Sequence, residues 1–289
     1  MFSALKKKLS IRHMEKFLVS VSFHRKAGRR LLVLEKSTVI GLVGGIISVF
    51  VGMILKGAPL TALNNPAAFL IIIGGTVACI FNAFTMEKIA KVPTLFKLLI
   101  KGNEEQSKGD LVKTFVELSQ LARREGILAL ESRVESIEDP FFKNGLSMVI
   151  DGMDPEFVES VLDAELAIME QRHAEMRSIF SQAGTYAPTL GVLGAVVGLI
   201  AALGNLNDID KLGHSIAAAF VATILGIFTG YVLWLPFANK LKIKSEGEVS
   251  HKRMIMEGIL SLQAGDSPTQ IESKLMIYIP QSEREAVKE

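Results

Sequence analysis

Residues 182–204 read QAGTYAPTLGVLGAVVGLIAALG, and their composition decides the fold class. Twenty-three residues without a charged side chain are long enough to cross a bilayer as a helix. A plain lipid anchor has no use for the rest of what they hold: Pro188 in mid-span, Thr185, Tyr186 and Thr189, and a row of glycines. Small residues let helices pack closely in lipid. Hydroxyls and a proline-freed carbonyl suit a helix that faces other protein or a polar path.

Working outward, three more uncharged runs appear at residues 38–55, 66–84 and 215–238. Hydrophobic residues make up 49% of the 289, and the mean hydropathy is +0.36, high for a soluble chain. The expected fold is therefore an all-α membrane protein with four transmembrane helices in two hairpins. A polar stretch of about a hundred residues separates the second and third spans and should form a large helical cytoplasmic domain. The expected organisation is a basic N-terminal extension (1–33), spans 1 and 2 (34–84), the cytoplasmic domain (85–181), spans 3 and 4 (182–238) and a cytoplasmic helical tail (239–289).

Orientation follows from the basic residues. Of 32 Lys and Arg, 30 lie before the first span, in the central loop or after the last span; the two hairpin loops hold only Lys56 and Lys211. The positive-inside rule then puts both termini and the central loop in the cytoplasm. There is no long basic run with interleaved aromatics, which argues against nucleic acid as a partner. The one cysteine, Cys79, lies mid-span as a small packing residue. The five histidines are scattered without ligand spacing, so no metal or other cofactor is expected.

The first 33 residues fit the rest poorly. Lys6, Lys7, Lys8, Arg25, Lys26, Arg29 and Arg30 bracket short apolar pieces, with no signal-peptide pattern. A basic arm on anionic lipid is one reading and a plain tail another. A third is favoured: Gly28-Arg29-Arg30 is what a purine-rich ribosome-binding sequence would encode if translated, so natural translation is expected to begin at Leu34.

Within the spans, small residues recur every four positions: Gly41/Gly45 and Gly44/Ser48/Gly52, then Gly194/Gly198/Ala202, then Ala218/Ala222/Gly226/Gly230. Such rows lie on one helix face and favour a tightly packed bundle or oligomer. Pro188 frees the carbonyl of Gly184, and Pro236 that of Val232. These are tolerated kinks or hinges beside an ion path. No span carries Asp, Glu, Lys or Arg, whereas intramembrane ion sites usually need an ionisable group. The chain offers Thr185, Tyr186, Thr189, Ser215, Thr223, Thr229 and Tyr231 instead. If ions pass, a partner must supply the carboxylate; otherwise these hydroxyls simply bond to carbonyls of their own helices.

In the polar regions the apolar spacing predicts helices over 110–124, 128–137 and 155–180, with Gly126 ending the first. Ser267-Pro268-Thr269-Gln270 is a capping-box start for a short last helix. Arg123, Arg124, Glu125 and Glu131 form a charged patch, which taken alone reads as a solvated face. There is no nucleotide-binding loop, zinc-protease motif or nucleophile elbow, so the chain is not expected to be an enzyme. Any energy it uses should come from an ion gradient.

Three strings now carry a resemblance. Residues 122–131 (ARREGILALE), 185–194 (TYAPTLGVLG) and 217–236, which contain Phe220-Val221-Ala222-Thr223 and Gly230-Tyr231, resemble the MotA-type flagellar motor stators of the MotA/TolQ/ExbB proton channel family. The likeness runs from about Leu34 to the C-terminus. It implies five such chains around two MotB-like, peptidoglycan-anchored subunits that each supply a proton-carrying Asp. It implies that the cytoplasmic domain pushes the rotor protein FliG. Arg123, with Arg124 beside it, and Glu131 match the rotor-contacting charges, and Pro188 and Pro236 the coupling prolines. Thr185, Tyr186, Thr189, Ala195 and Thr223 would line the ion path. Sodium-driven relatives carry Thr where Ala195 stands, so protons are expected. The alternatives are a sodium-driven stator, an ExbB/TolQ-like energy-coupling subunit, which would have three spans, and a self-sufficient channel, against which the missing intramembrane charge argues.

Overall fold

Each uncharged run forms a helix, since lipid offers no partner for a bare backbone amide or carbonyl. The structure, a computed structural model, describes residues 36–58, 60–100 and 107–288. The basic arm 1–33 and the expected start at Leu34 lie outside the described residues. Among these, no strand occurs and four helices are long and apolar enough to cross a membrane.

Helix α1 spans Lys36–Leu55 and α2 spans Pro66–Ala83, the latter with a π-helical turn at Leu70–Gly74. Asn65 starts α2 by accepting from the Ala68 amide (3.1 Å) and donates to the Ala218 carbonyl (3.2 Å), so one cap also ties the first hairpin loop to the last span. Helix α3, Val92–Ile100, follows the second span. The carbonyls of Leu98 and Leu99 near its end accept from Lys244 Nζ (2.7 Å) and Thr38 Oγ1 (3.3 Å), which joins α3 to the first and last spans.

The remaining long elements are α4 (Lys108–Glu125), α5 (Pro140–Ile150), α6 (Pro155–Leu203), α7 (Ile209–Gln263) and α8 (Pro268–Leu275). Asp139, Asp154 and Asp208 cap α5, α6 and α7, with Pro140 and Pro155 at the first helical position. Ser267 and Gln270 make the expected capping box of α8.

Two departures from the sequence reading have clear causes. The helix that holds the last span does not end with the span at Ala238; α7 runs on unbroken to Gln263. The fall in hydropathy at Asn239 marks a change in polarity, not where the helix's backbone bonds stop. No proline intervenes, and Lys242 pairs with Glu246 one turn on (3.6 Å). The stretch 128–137 is instead a 3-10 turn, Ile127–Leu130, and one short helical turn, Glu131–Val134. There Ser132 and Ser136 donate to carbonyls three residues back (3.0 and 2.7 Å), competing with a regular helix.

The loop between spans 2 and 3 and the C-terminal tail share one apolar core. Phe115 of α4, Phe142 and Leu146 of α5, Leu162 of α6, Ile255 and Ile259 of α7 and Ile271 of α8 meet in it. Each such buried side chain contributes about 1.5–3 kcal/mol. Between this core and the spans lies an aromatic cluster: Phe180 stacks on Trp234 (centroids 6.0 Å) and meets Phe96 edge-on (5.1 Å). Helices α6 (49 residues) and α7 (55 residues) run through both regions. At ~1.5 Å per residue they are rods of roughly 70–80 Å that connect the membrane seam to the cytoplasmic core.

Candidate functional site

The third and fourth spans meet backbone to backbone. A Cβ on Gly226 would lie 2.7 Å from the Ala187 carbonyl oxygen and 2.7 Å from Gly191 Cα; one on Gly191 would lie 2.9 Å from Gly226 Cα. Above and below this crossing, Gly194 faces Ala222, Gly198 faces Ala219 and Gly184 faces Leu235. Two of the sequence's small-residue rows are therefore spent on each other. With no hydrophobic force between helices in lipid, such contact is the main source of attraction there. The first span's row behaves differently. Gly45 faces the Val232 side chain, with a would-be Cβ 2.6 Å from its Cγ1, but Gly41, Gly44 and Gly52 have nothing within 4 Å, and no residue of α1 is buried.

Pro188 sits in this seam. Its ring nests on Gly230, where a Cβ would meet Pro188 Cγ at 2.6 Å and the Gly184 carbonyl oxygen at 3.0 Å. The carbonyl that Pro188 frees thus faces a glycine, and α6 stays helical through the proline. Pro236 has a different setting. It directly follows a π-helical turn, Thr229–Trp234, whose wider hydrogen-bond ring re-registers the helix just before the missing amide. Thr229 is buried there and donates to Leu225 O (2.8 Å) and Gly226 O (3.2 Å).

The other hydroxyls flank the seam. Thr185 donates to Ser181 O (3.2 Å), Thr189 to Thr185 O (3.1 Å) and Thr223 to Ala219 O (3.4 Å). Each proton is satisfied within its own helix, which leaves oxygen lone pairs as the outward feature. Thr185 and Thr189 are exposed on the single chain; Tyr186, Ala195 and Thr223 are half-buried. These positions can present oxygen acceptors to a mobile cation, but they hold no group able to carry a proton near neutral pH.

The charged patch lies at the opposite end of the molecule's long helices. Arg123, Arg124 and Glu125 form the last turn of α4. Gly126, at φ 87°, then breaks the helix with a backbone that favours glycine, and the 3-10 turn leads to Glu131. Arg123, Arg124 and Glu131 are exposed and enter no ion pair with the described residues, so their charge is unspent within the chain. The structure adds one residue that sequence reasoning missed. Leu128 is 70% exposed between these charges, while Leu130 is fully buried. The string Ile-Leu-Ala-Leu does not say which leucine faces out. A three-residue period, as in a 3-10 turn, turns Ile127 and Leu130 inward and Leu128 outward.

Residues 133–254 match the family model described as the MotA/TolQ/ExbB proton channel family, and residues 39–126 match the motility protein A N-terminal model. The chain is 53% identical over 251 residues to motility protein A of Bacillus subtilis (strain 168), covering 87% of this chain and 93% of that protein. It is 36% identical over 253 residues to motility protein A of Helicobacter pylori (strain ATCC 700392 / 26695), covering 86% and 97%. Among solved structures it is similar to the flagellar MotAB stator complex from Bacillus subtilis, with a TM-score of 0.83, 52% identity and coverage of 88% of this chain and 100% of that one. For the C. jejuni MotAB structure the TM-score is 0.81, with 30% identity and coverage of 86% and 97%. With this likeness spanning all four membrane helices and the cytoplasmic core, the chain belongs to the MotA/TolQ/ExbB proton channel family.

Proposed function

We propose that this multi-pass inner-membrane protein, a stator subunit of the flagellar motor, turns proton flow into torque by moving its seam of spans 3 and 4 against a partner's carboxylate. The observation that carries this reading is the pairing of an uncharged, hydroxyl-flanked seam with two unbroken rods that lead to an exposed, unpaired charge cluster. A proton relay in lipid needs an ionisable group. Since none of the spans has one, a MotB-like subunit provides it as an Asp on its own membrane helix and anchors the assembly to peptidoglycan. The open glycines of α1 (Gly41, Gly44 and Gly52) and the flanks of the seam suit a ring of copies, five around two partner chains. The placement of 30 of the 32 basic residues outside the two hairpin loops supports both termini and the cytoplasmic core facing the cytoplasm. The family is one of channel and stator subunits, not an enzyme class.

Ala195 supports protons as the coupling ion. A dehydrated sodium ion needs several oxygen ligands, and alanine offers none. The test is swimming with sodium replaced by potassium at a fixed proton-motive force. Speed is expected to hold; a halt on sodium removal would overturn the ion choice.

At the other end, Arg123, Arg124 and Glu131 dock on the rotor protein FliG. Arg123→Glu and Glu131→Lys should each cut swimming several-fold with unchanged amounts of protein in the membrane, because reversed rim charges oppose docking. Restoration by a compensating charge reversal on FliG would identify the contact. Normal swimming by both variants would remove these residues from it.

A further inference from the structure

The cytoplasmic core holds a cavity of about 760 Å3 that the stator mechanism does not use. It lies between α4, the start of α5 and α7, and its lining includes Thr114, Asp139, Phe142, Glu248, His251 and Lys252. His251 is only 5% exposed, and its Nδ1 is buried without a hydrogen-bond partner. That is an uncommon setting for an imidazole nitrogen, since buried polar atoms are nearly always paired.

The groups around His251 decide what a proton on it would meet. Asp139 is the nearest counter-charge, but its oxygens are already taken. Lys252 Nζ reaches both of them (2.6 and 2.7 Å), and Oδ1 also accepts from the Phe141 amide (2.9 Å) to cap α5. Lys252 in turn sits 5.4 Å from the centre of the Phe141 ring. From α7 itself, Glu248 attracts an imidazolium and Lys252 repels it; from the start of α4, Lys108 repels it; Glu138, beside Asp139, also lines the cavity. Burial is the largest influence and holds the imidazole below its ordinary value of 6.5. At neutral pH the ring is therefore uncharged, and the Lys252–Asp139 pair stays closed.

We propose that His251 is a cytoplasmic proton sensor that loosens the torque-bearing domain when the cell interior acidifies. A proton added to His251 draws Asp139, the stronger of its two attracting charges, away from Lys252 and from the first turn of α5; Glu248 is the weaker attractor. Asp139 ends the segment that carries Glu131 and Arg133, so its release slackens the charged face that docks on the rotor. The direction follows from proton linkage. With the folded-state value below the unfolded one, the stability is complete above pH 6.5 and is lost as pH falls from there towards the lower folded-state value. The torque consequence rests on the stator reading of the preceding section; the proton site itself does not.

The test uses the full chain purified with its membrane partner. The melting temperature of the cytoplasmic core is followed from about pH 7.5 down to about pH 5.5. The wild type should lose stability across this range, and His251→Gln should lose clearly less. Equal pH dependence in both would overturn the proposal. Should His251→Gln not fold, Lys252→Met decides. It removes a cation that repels the imidazolium, so the folded-state value rises towards 6.5 and the acid loss of melting temperature should shrink clearly; an undiminished loss also overturns the proposal. In cells, weak acid at constant proton-motive force should slow the wild type more than His251→Gln. A pH effect on melting without one on swimming would reject the torque link and leave both the proton site and the stator reading standing.

Discussion

Replacing Gly226 with alanine is expected to abolish swimming while the chain still reaches the membrane. The added methyl would stand 2.7 Å from the Ala187 carbonyl oxygen and 2.7 Å from Gly191 Cα. Both obstacles are backbone, so no side-chain rotation can yield, and the two spans must move apart or tilt. Packing strain of this kind costs about 1–3 kcal/mol. The functional cost is larger than that figure suggests. One turn further on, Pro188 nests on Gly230 within 3 Å of a would-be Cβ, so parting the helices at Gly226 also unseats the proline. A stator that couples ion passage to helix movement has no slack at that joint. Gly213→Ala is the matched control: it lies on the same helix, but its Cβ would meet nothing within 4 Å, and swimming should persist. Expansion in soft agar and immunoblots of the membrane fraction would read both variants. Normal swimming by Gly226→Ala would show that the seam is looser than these distances require.

The contrast between these two glycines illustrates what a sequence can disclose. All four spans were legible from uncharged runs alone, because the cost of charge in lipid leaves a mark in every residue. The capping box at Ser267 was written locally as well, within three residues. The small-residue rows were visible, but not their partners. On paper the rows of α1 resemble those of α6 and α7, yet only the latter two meet backbone to backbone, while in α1 Gly45 meets just the Val232 side chain. Helix ends were obscured wherever polarity changed without a breaker, as at Asn239. The proton site was invisible for a different reason: Asp139 and Lys252 are 113 residues apart, and neither sits in a pattern that names the other. Of the proposed ion-path positions, Thr185, Thr189 and Thr223 each bond a carbonyl one turn back in their own helix, a local setting that their sequence spacing allowed but did not single out.

Phe115→Ala should separate the two halves of the machine from the opposite side. Phe115 is fully buried, stacks on Phe142 with centroids 4.7 Å apart, and fills the space above Gly258 on α7. Its ring carbons lie 2.5–2.7 Å from where a Gly258 Cβ would be, so ring and glycine are two halves of one fit. Truncating a buried phenylalanine costs about 3–5 kcal/mol, a large part of the 5–15 kcal/mol that typically holds a domain together. The membrane seam shares no residue with this core, so insertion should be normal while the cytoplasmic domain becomes protease-sensitive in inside-out vesicles. Swimming should stop, since the rods then end in a domain that yields under load. Gly258→Ala attacks the same fit by overfilling it, and Phe115→Leu relieves the crowding. If ring and glycine act as one contact, the double variant Gly258→Ala with Phe115→Leu must be more protease-resistant than Gly258→Ala alone, a coupling that independent sites would not show. Strictly additive losses in that cycle would mean that ring and glycine act independently, and a protease-resistant Phe115→Ala protein that still swims would mean that torque does not depend on this core.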